Sequence, residues 1–399
     1  MDDDVLPPHA PGPNGTSAVP GSAASSRDAF LSPALPLRTP AREAPHGARP
    51  DAVRAWFDAA TEADIPTPDG TLATAQAIAE VLARRAKADN TRRAYRAGVR
   101  AWCAWCATHA LTPLPARPAD VAAFLAAQHY VSAESEEKPL AATTLKLRLA
   151  AIAYLHYLAG LPSPTTAAVV AETYAGLHRV AAEACDGPRQ KLAARIAILR
   201  EIVGAIPDNL PGLRDRALLL VGFAGAFRRS ELARIAVDHI EDCEHGLRIT
   251  LPISKGDRAR KGVQVGIPYG RSEFCPVRAL ARWRDAAGIT SGPVFRRIWV
   301  PPRSRHAPPD GVPSYTVGWQ AIDARTVARI VQARGAAAGF DPARLGGHSL
   351  KRGAMNTAKD LHVHPARLKQ LGRHRTYAVL DVYLELGDPF DGHPLTGVL

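Results

Sequence analysis

The sequence lacks long hydrophobic runs, is poor in cysteine and carries no glycine loop for a nucleotide. Its longest uncharged apolar stretch, Ala217 to Phe227, ends after 11 residues and leads into Arg228 and Arg229. A membrane-spanning helix needs roughly 18 or more. Five cysteines in 399 residues are too few, and odd in number, for a disulfide scaffold. The chain opens Met-Asp-Asp-Asp, with no basic segment ahead of an apolar one. That predicts no secretory signal and a protein of the reducing cytoplasm. No Walker loop or GxGxxG element is present, which removes the usual phosphate cradles. The lone pair Cys103 and Cys106 lies inside a helical pattern without the second ligand pair that structural zinc requires. His362 and His364 flank Val363 near a helix start and read as surface residues.

What the chain does have is positive charge, unevenly spread. Lys and Arg number 50 against 38 Asp and Glu, for a net charge of +12. Residues 1–70 are net −5, residues 71–185 net +4, and residues 186–399, with 33 basic and 20 acidic side chains, net +13. A basic C-terminal half fits a polyanion, of which nucleic acid is the commonest. A coding bias toward Arg and Ala would produce the same excess.

Composition divides the chain further. Residues 1–50 hold 10 of the 34 prolines and no sustained apolar period. Such a segment buries too little surface to offset its ordering entropy, so residues 1–69 read as a disordered tail with a short helical stretch around Val53–Ala63. Residues 70–185 read as all helix. Leu72, Ile78, Val81 and Leu82 form one apolar stripe, Tyr95, Val99, Trp102 and Cys106 a second, and Leu145, Leu149, Ile152 and Leu155 a third. Residues 186–399 mix helices with a strand pair, Leu247–Ser254 and Val263–Pro268, and an irregular Pro/Arg-rich stretch over 291–313. The expected fold is mainly α with a small antiparallel β-sheet.

Four segments of the second half carry chemistry. In Phe227-Arg228-Arg229-Ser230-Glu231-Leu232, Arg228 and Glu231 are three apart and adjacent on a helical turn. A guanidinium held by a carboxylate is a rigid fork suited to a phosphate. It serves equally as a structural ion pair, and alone that is the plainer reading. The turn Lys255–Gly262 places Lys255, Arg258, Arg260 and Lys261 at a hairpin tip, where they reach a phosphate or simply face solvent. In Gly346-Gly347-His348-Ser349-Leu350-Lys351-Arg352-Gly353, glycines release a loop into a helix whose first turn shows His348, Lys351 and Arg352, an anion site by dipole and charge. Last, Leu371-Gly372-Arg373-His374 precedes Tyr383 by nine residues from His374. Spacing alone does not distinguish Tyr383 from a core tyrosine.

Taken in order, these segments resemble the tyrosine recombinase, or phage integrase, family. The matches are Arg228 in FRRSEL, Lys255 in ISKGD, His348 in GHSLKRG, His374 in LGRH and Tyr383 in LDVYLE. The helical stretch NTRRAYRAGVRAW from Asn90 resembles the family's core-binding domain, so the likeness spans about residues 70–399. One departure stands out: the family's second arginine falls at Lys351, with Arg352 beside it. Lysine keeps the charge and loses the bidentate fork.

The resemblance implies a helical core-binding domain over 70–185 and an α+β catalytic domain over 186–399. It implies site-specific DNA recombination, of the integration or excision type, through a 3′-phosphotyrosine. Tyr383 is then the nucleophile, with Arg228, Lys351 and His374 on the non-bridging oxygens. Lys255 protonates the leaving 5′-oxygen, His348 is the general acid/base, Glu231 orients Arg228, and Arg352 is the alternative to Lys351. Arg92, Arg93, Arg96, Arg258, Arg260 and Lys261 are the expected DNA contacts. No metal or other cofactor is implied. The implied partner is duplex DNA with paired sites, bound by a protein monomeric when free and tetrameric on DNA, with an accessory DNA-bending protein as a further partner. No membrane is involved, and the place is the nucleoid. Two other readings remain: topoisomerase-like relaxation, and DNA binding with catalysis weakened by Lys351.

Overall fold

The computed structural model describes residues 44–130, 139–183, 191–252, 262–299, 315–374, 376–377 and 380. The chain divides between Pro188 and Arg189 into two compact units.

The first unit is helical: α1 (Pro50–Glu62), α2 (Leu72–Arg85), α3 (Asp89–Thr108), α4 (Pro118–His129), α5 (Ala142–Leu158) and α6 (Ala168–Glu183). The apolar period of α3 puts Val99, Trp102 and Cys106 inside, against Phe124 and Leu125 of α4 and Ile152 and Leu155 of α5. Gly98 lets α3 and α5 approach: a Cβ there would lie 2.6 Å from that of Ala151. The Trp102 indole N–H donates to the Pro113 carbonyl at 3.0 Å, so burying the ring leaves no orphan donor.

Two expectations fail here. The helical core begins well before residue 70, because Val53 and Phe57 of α1 are fully buried in it. The short helical stretch expected around Val53–Ala63 is α1; its local pattern did not show that it packs into this core. On α2, only Val81 of the expected stripe is buried, while Leu72 and Leu82 are 75% and 53% exposed. Periodicity defines an apolar face without guaranteeing something to cover it.

His156 is buried in this core. Its Nε2 accepts from the Ala116 amide at 3.0 Å and its Nδ1 donates to the Ile152 carbonyl at 2.8 Å, which requires the neutral ring. Burial lowers its pKa below 6.5. The unfolded chain therefore binds a proton that the folded unit refuses, and stability falls as pH drops below about 6.5. The protection of the amides around Ala116, measured against the intrinsic exchange rate at each pH, should drop between about pH 7 and about pH 5 in wild type. Constant protection over that range would remove His156 as the acid-sensitive group.

The second unit surrounds a buried helix. Its elements are α7 (Ile196–Gly204), α8 (Leu210–Ala224), α9 (Arg229–Leu232), β1 (Ile240–Cys243), β2 (Gly246–Leu251), β3 (Val263–Pro268), α10 (Pro276–Ala286), β4 (Arg296–Trp299), β5 (Thr316–Ala321), α11 (Ala324–Ala337), α12 (Ser349–Asp360) and α13 (Pro365–Gly372). Asn209 caps α8, its side chain accepting from the Gly212 amide at 2.9 Å. The apolar run Ala217–Val221 sits in the core with Trp283 of α10 and Leu350 of α12. Strands β1, β2 and β3 form an antiparallel sheet in that order, and Leu247, Ile249 and Leu251 alternate inward opposite Ile267, Val265 and Val263.

Strand β1 and the pair β4–β5 were not expected. β1 is Ile-Glu-Asp-Cys, too short and acidic to show a period, and exists because β2 pairs with it. β4 comes out of the stretch read as irregular and β5 lies just beyond it; neither has a clear alternating period, and only their antiparallel pairing defines the ladder.

Candidate active site

Arg228 is the residue before α9 and has extended backbone, with its amide donating to Glu231 Oε2 at 2.9 Å. Its guanidinium returns to the same carboxylate, Nη1 donating to Oε1 at 2.7 Å. The spacing of three thus becomes a real pair, with Arg228 18% exposed at its side chain and Glu231 3%. Leu232 and Ile235 anchor the turn in the core.

Glu231 has a second cation. Arg373 Nη2 donates to its Oε2 at 2.8 Å. Burial pushes the Glu231 carboxyl up, but the charge of Arg373 and the hydrogen bonds from Arg228 outweigh that and hold it at about 2. The carboxylate is an ionised node between two guanidiniums.

Helix α12 brings in Lys351, which is 3% exposed and donates from Nζ to the Gly372 carbonyl at the end of α13. Burial, then the charges of Arg228 and Arg373, lower its pKa to about 7, with Glu231 opposing. His374 follows α13; burial and the charges of Lys351, Arg228 and Arg373 lower its pKa to about 4. Its imidazole is therefore neutral at neutral pH and offers one hydrogen-bond donor rather than a cation. A Cβ on Gly372 would come within 3.0 Å of that ring.

Four of the sequence-derived site residues, Arg228, Glu231, Lys351 and His374, thus share one electrostatic cluster. His348 is exposed and is the residue immediately before α12, one turn before Lys351. Arg352 diverges from Lys351: its Nη1 donates to the Lys191 carbonyl. Lys351 feels the charges of Arg228 and Arg373. Lys255, Arg258, Arg260, Lys261 and Tyr383 lie outside the described residues. Tyr377, just before them, is half exposed with Lys369 Nζ 4.5 Å above its ring.

The arrangement is a preorganised set of cations and N–H donors held by one buried carboxylate, suited to an oxyanion on phosphorus. Among the described residues no group of three or more His, Cys, Asp or Glu is placed to hold a metal, and no helix is long and apolar enough to cross a membrane. Cys103 and Cys106 are buried thiols pushed up to about 12, unsuited to ligation or redox work.

Residues 78–159 match the phage integrase N-terminal SAM-like domain. The chain is 31% identical over 318 residues, 78% of its length, to an integrase/recombinase xerD homolog of Selenomonas ruminantium, of which it covers 86%. It belongs to the tyrosine recombinase family. Two solved structures share the fold at low identity. One is the XerH site-specific recombinase bound to palindromic difH substrate, 12% identical with a TM-score of 0.53, covering 88% of this chain and 96% of that one. The other is the Tn1549 transposon integrase in complex with transposon right end DNA, 10% identical with a TM-score of 0.52, covering 80% and 96%.

Within the recombinase, the expected DNA-contacting arginines of α3 divide. Arg92 is committed to Asp89 and to the Thr61 carbonyl, and Arg96 pairs with Glu62, so both tie α3 to the end of α1. The reason is local: α1, unforeseen as part of this core, ends beside them in acceptors. Arg93 is exposed, with only a 3.4 Å contact to Asn90. The residue that sequence reasoning missed is Arg373. Its one signal is a basic residue between the terminal glycine of a helix and His374, which reads as a solvated surface charge.

Proposed function

We propose that this recombinase cuts and rejoins duplex DNA at paired sites, with Tyr383 as nucleophile and the Arg228–Lys351–His374 cluster as the phosphate site. It is an enzyme of site-specific recombination, and neither relaxation alone nor binding without cleavage is favoured by its relatives. The observation that supports the assignment is the Glu231 carboxylate shared by Arg228 and Arg373, with Lys351 and His374 within electrostatic reach of both guanidiniums.

In the proposed step the Tyr383 phenolic oxygen bonds to phosphorus and the bond to the 5′-oxygen breaks. The phenol proton passes to a base, for which His348 is the candidate, and Lys255 gives a proton to the departing 5′-oxygen. Arg228, Lys351 and His374 donate to the non-bridging oxygens where charge grows. The phosphotyrosine keeps the bond energy, so the 5′-hydroxyl of a second strand rejoins by the reverse step. The helical unit from α1 to α6 acts as the core-binding part and residues 186–399 as the catalytic part, with Arg93, Arg258, Arg260 and Lys261 on the DNA backbone.

Exchange between two sites requires more than one subunit. The proposed assembly is a monomer in solution and a tetramer on paired sites, closed by head-to-tail contacts. The tail after Tyr383 ends in Leu395, Val398 and Leu399 and serves such a contact, in cis or in trans. An accessory DNA-bending protein draws no support from the relatives.

Tyr383→Phe should bind a target duplex as tightly as wild type and form no covalent adduct on a nicked suicide substrate, because only the phenolic oxygen is lost. An adduct with Tyr383→Phe would move the nucleophile elsewhere, with Tyr377 the next position to test.

A further inference from the structure

Arg373 stands in a backbone conformation that disfavours it. It closes α13 in the left-handed region, φ 52° and ψ 47°, where a residue with a Cβ is strained. Ala226, two residues before Arg228, is also left-handed at φ 43°. One guanidinium joins the two strained points. Arg373 Nη1 donates to the Gly225 carbonyl and Nη2 to the Ala226 carbonyl, each at 2.7 Å. Nη2 also donates to Glu231 Oε2 at 2.8 Å, and the group lies 5.2 Å from the Phe227 ring centre. The side chain is 6% exposed and its Nε–H is buried without an acceptor.

A strained backbone and an orphan donor persist only where the surroundings over-determine them. Here the surroundings are the backbone leading into Arg228 and the backbone leading into His374. We propose that Arg373 is a positioning residue for strand cleavage, locking Arg228 and His374 into one frame through the 225–226 carbonyls and Glu231. This rests on the recombinase site described above. A lysine cannot replace it, since one ammonium lacks the planar fork that spans two carbonyls and a carboxylate.

The charge of Arg373 acts as well as its geometry. Lys351 faces Arg228, Arg373 and Glu231, and His374 faces Lys351, Arg228 and Arg373. Removing the Arg373 charge lets Lys351 hold its proton to higher pH. The alkaline fall in cleavage caused by its deprotonation then moves upward.

The test uses the full chain on a nicked suicide duplex, with adduct formation followed at subsaturating protein so that the pH profile reports the free enzyme. DNA binding is measured by gel shift and folding by thermal melting. Arg373→Gln is expected to slow adduct formation by about 10²-fold or more, with Kd within a few-fold, and to shift the alkaline limb upward. Arg373→Lys should restore the position of that limb and not the rate, and it also serves if Arg373→Gln folds poorly. Adduct formation by both variants within a few-fold of wild type overturns the proposal. So does a slow variant with an unmoved limb and a loss matched by lost folded protein, which is a purely structural arginine. Wild-type protein that forms no adduct on any cleavable duplex overturns the recombinase site itself, whatever Arg373 does.

Discussion

Arg228→Ala is expected to lower covalent adduct formation by about 10³-fold while DNA affinity changes only a few-fold, as removal of a preorganised transition-state donor does. The geometry explains why the loss falls on the chemical step. Arg228 is gripped from its own amide and its guanidinium by one carboxylate, so in the proposed site its remaining N–H groups would meet the phosphate without reorganisation. Glu231 keeps Arg373 when Arg228 is removed, so the carboxylate stays paired and the fold survives. Arg228→Lys restores charge without the fork and should recover only a small part of the rate. Single-turnover cleavage beside gel-shift affinities checks this. Cleavage by Arg228→Ala within a few-fold of wild type would take Arg228 out of the site.

Lys351→Met is expected to abolish cleavage to a similar degree and to make the folded protein more stable at neutral and acid pH. The two effects share one origin. The folded-state pKa of Lys351 is lowered from 10.5 to about 7 by burial and by the charges of Arg228 and Arg373. Between those values the unfolded chain binds more protons than the folded one, so wild-type stability declines as pH falls through that window and levels below about pH 7. Methionine fills the space without a charge to bury, at the cost of the bond to the Gly372 carbonyl. The thermal midpoint of Lys351→Met over wild type should therefore be greatest below about pH 7 and shrink toward about pH 10. Lys351→Arg should keep cleavage and lose the alkaline fall, because an arginine does not deprotonate there. Melting curves across that pH range, with cleavage on the same samples, provide the measurement. A constant difference between Lys351→Met and wild type would mean that the buried ammonium does not titrate.

Much of the site was legible because its chemistry is local in sequence. Arg228 and Glu231 lie one helical turn apart, and His348 precedes Lys351 by the same interval, so spacing alone put them within reach. The roles of Lys351 and Arg352 were not separable that way. Adjacent residues on a helix point about 100° apart, and which of them faces inward depends on what packs there. The fold turned Lys351 toward Arg228 and Arg373 and left Arg352 to the Lys191 carbonyl.

By itself the sequence determined the two-part chemistry of the chain: helices with a 3.6-residue apolar period first, then a basic half with Arg228, Lys255, His348, His374 and Tyr383 in order. Those features are local periods, charges and spacings, and a linear chain displays them directly. Tertiary structure alone decided that α1 belongs to the helical core, and that β1, β4 and β5 exist as strands. It also decided that Arg92 and Arg96 bond to the end of α1, and that Arg373 bonds to the Gly225 and Ala226 carbonyls beside Arg228. For β1 the deciding partner is the neighbouring strand β2; for the others it is farther along the chain, and Arg373 meets Ala226 across 147 residues. A short strand, a buried guanidinium or a left-handed turn is stable only once that partner arrives, and no local pattern records it.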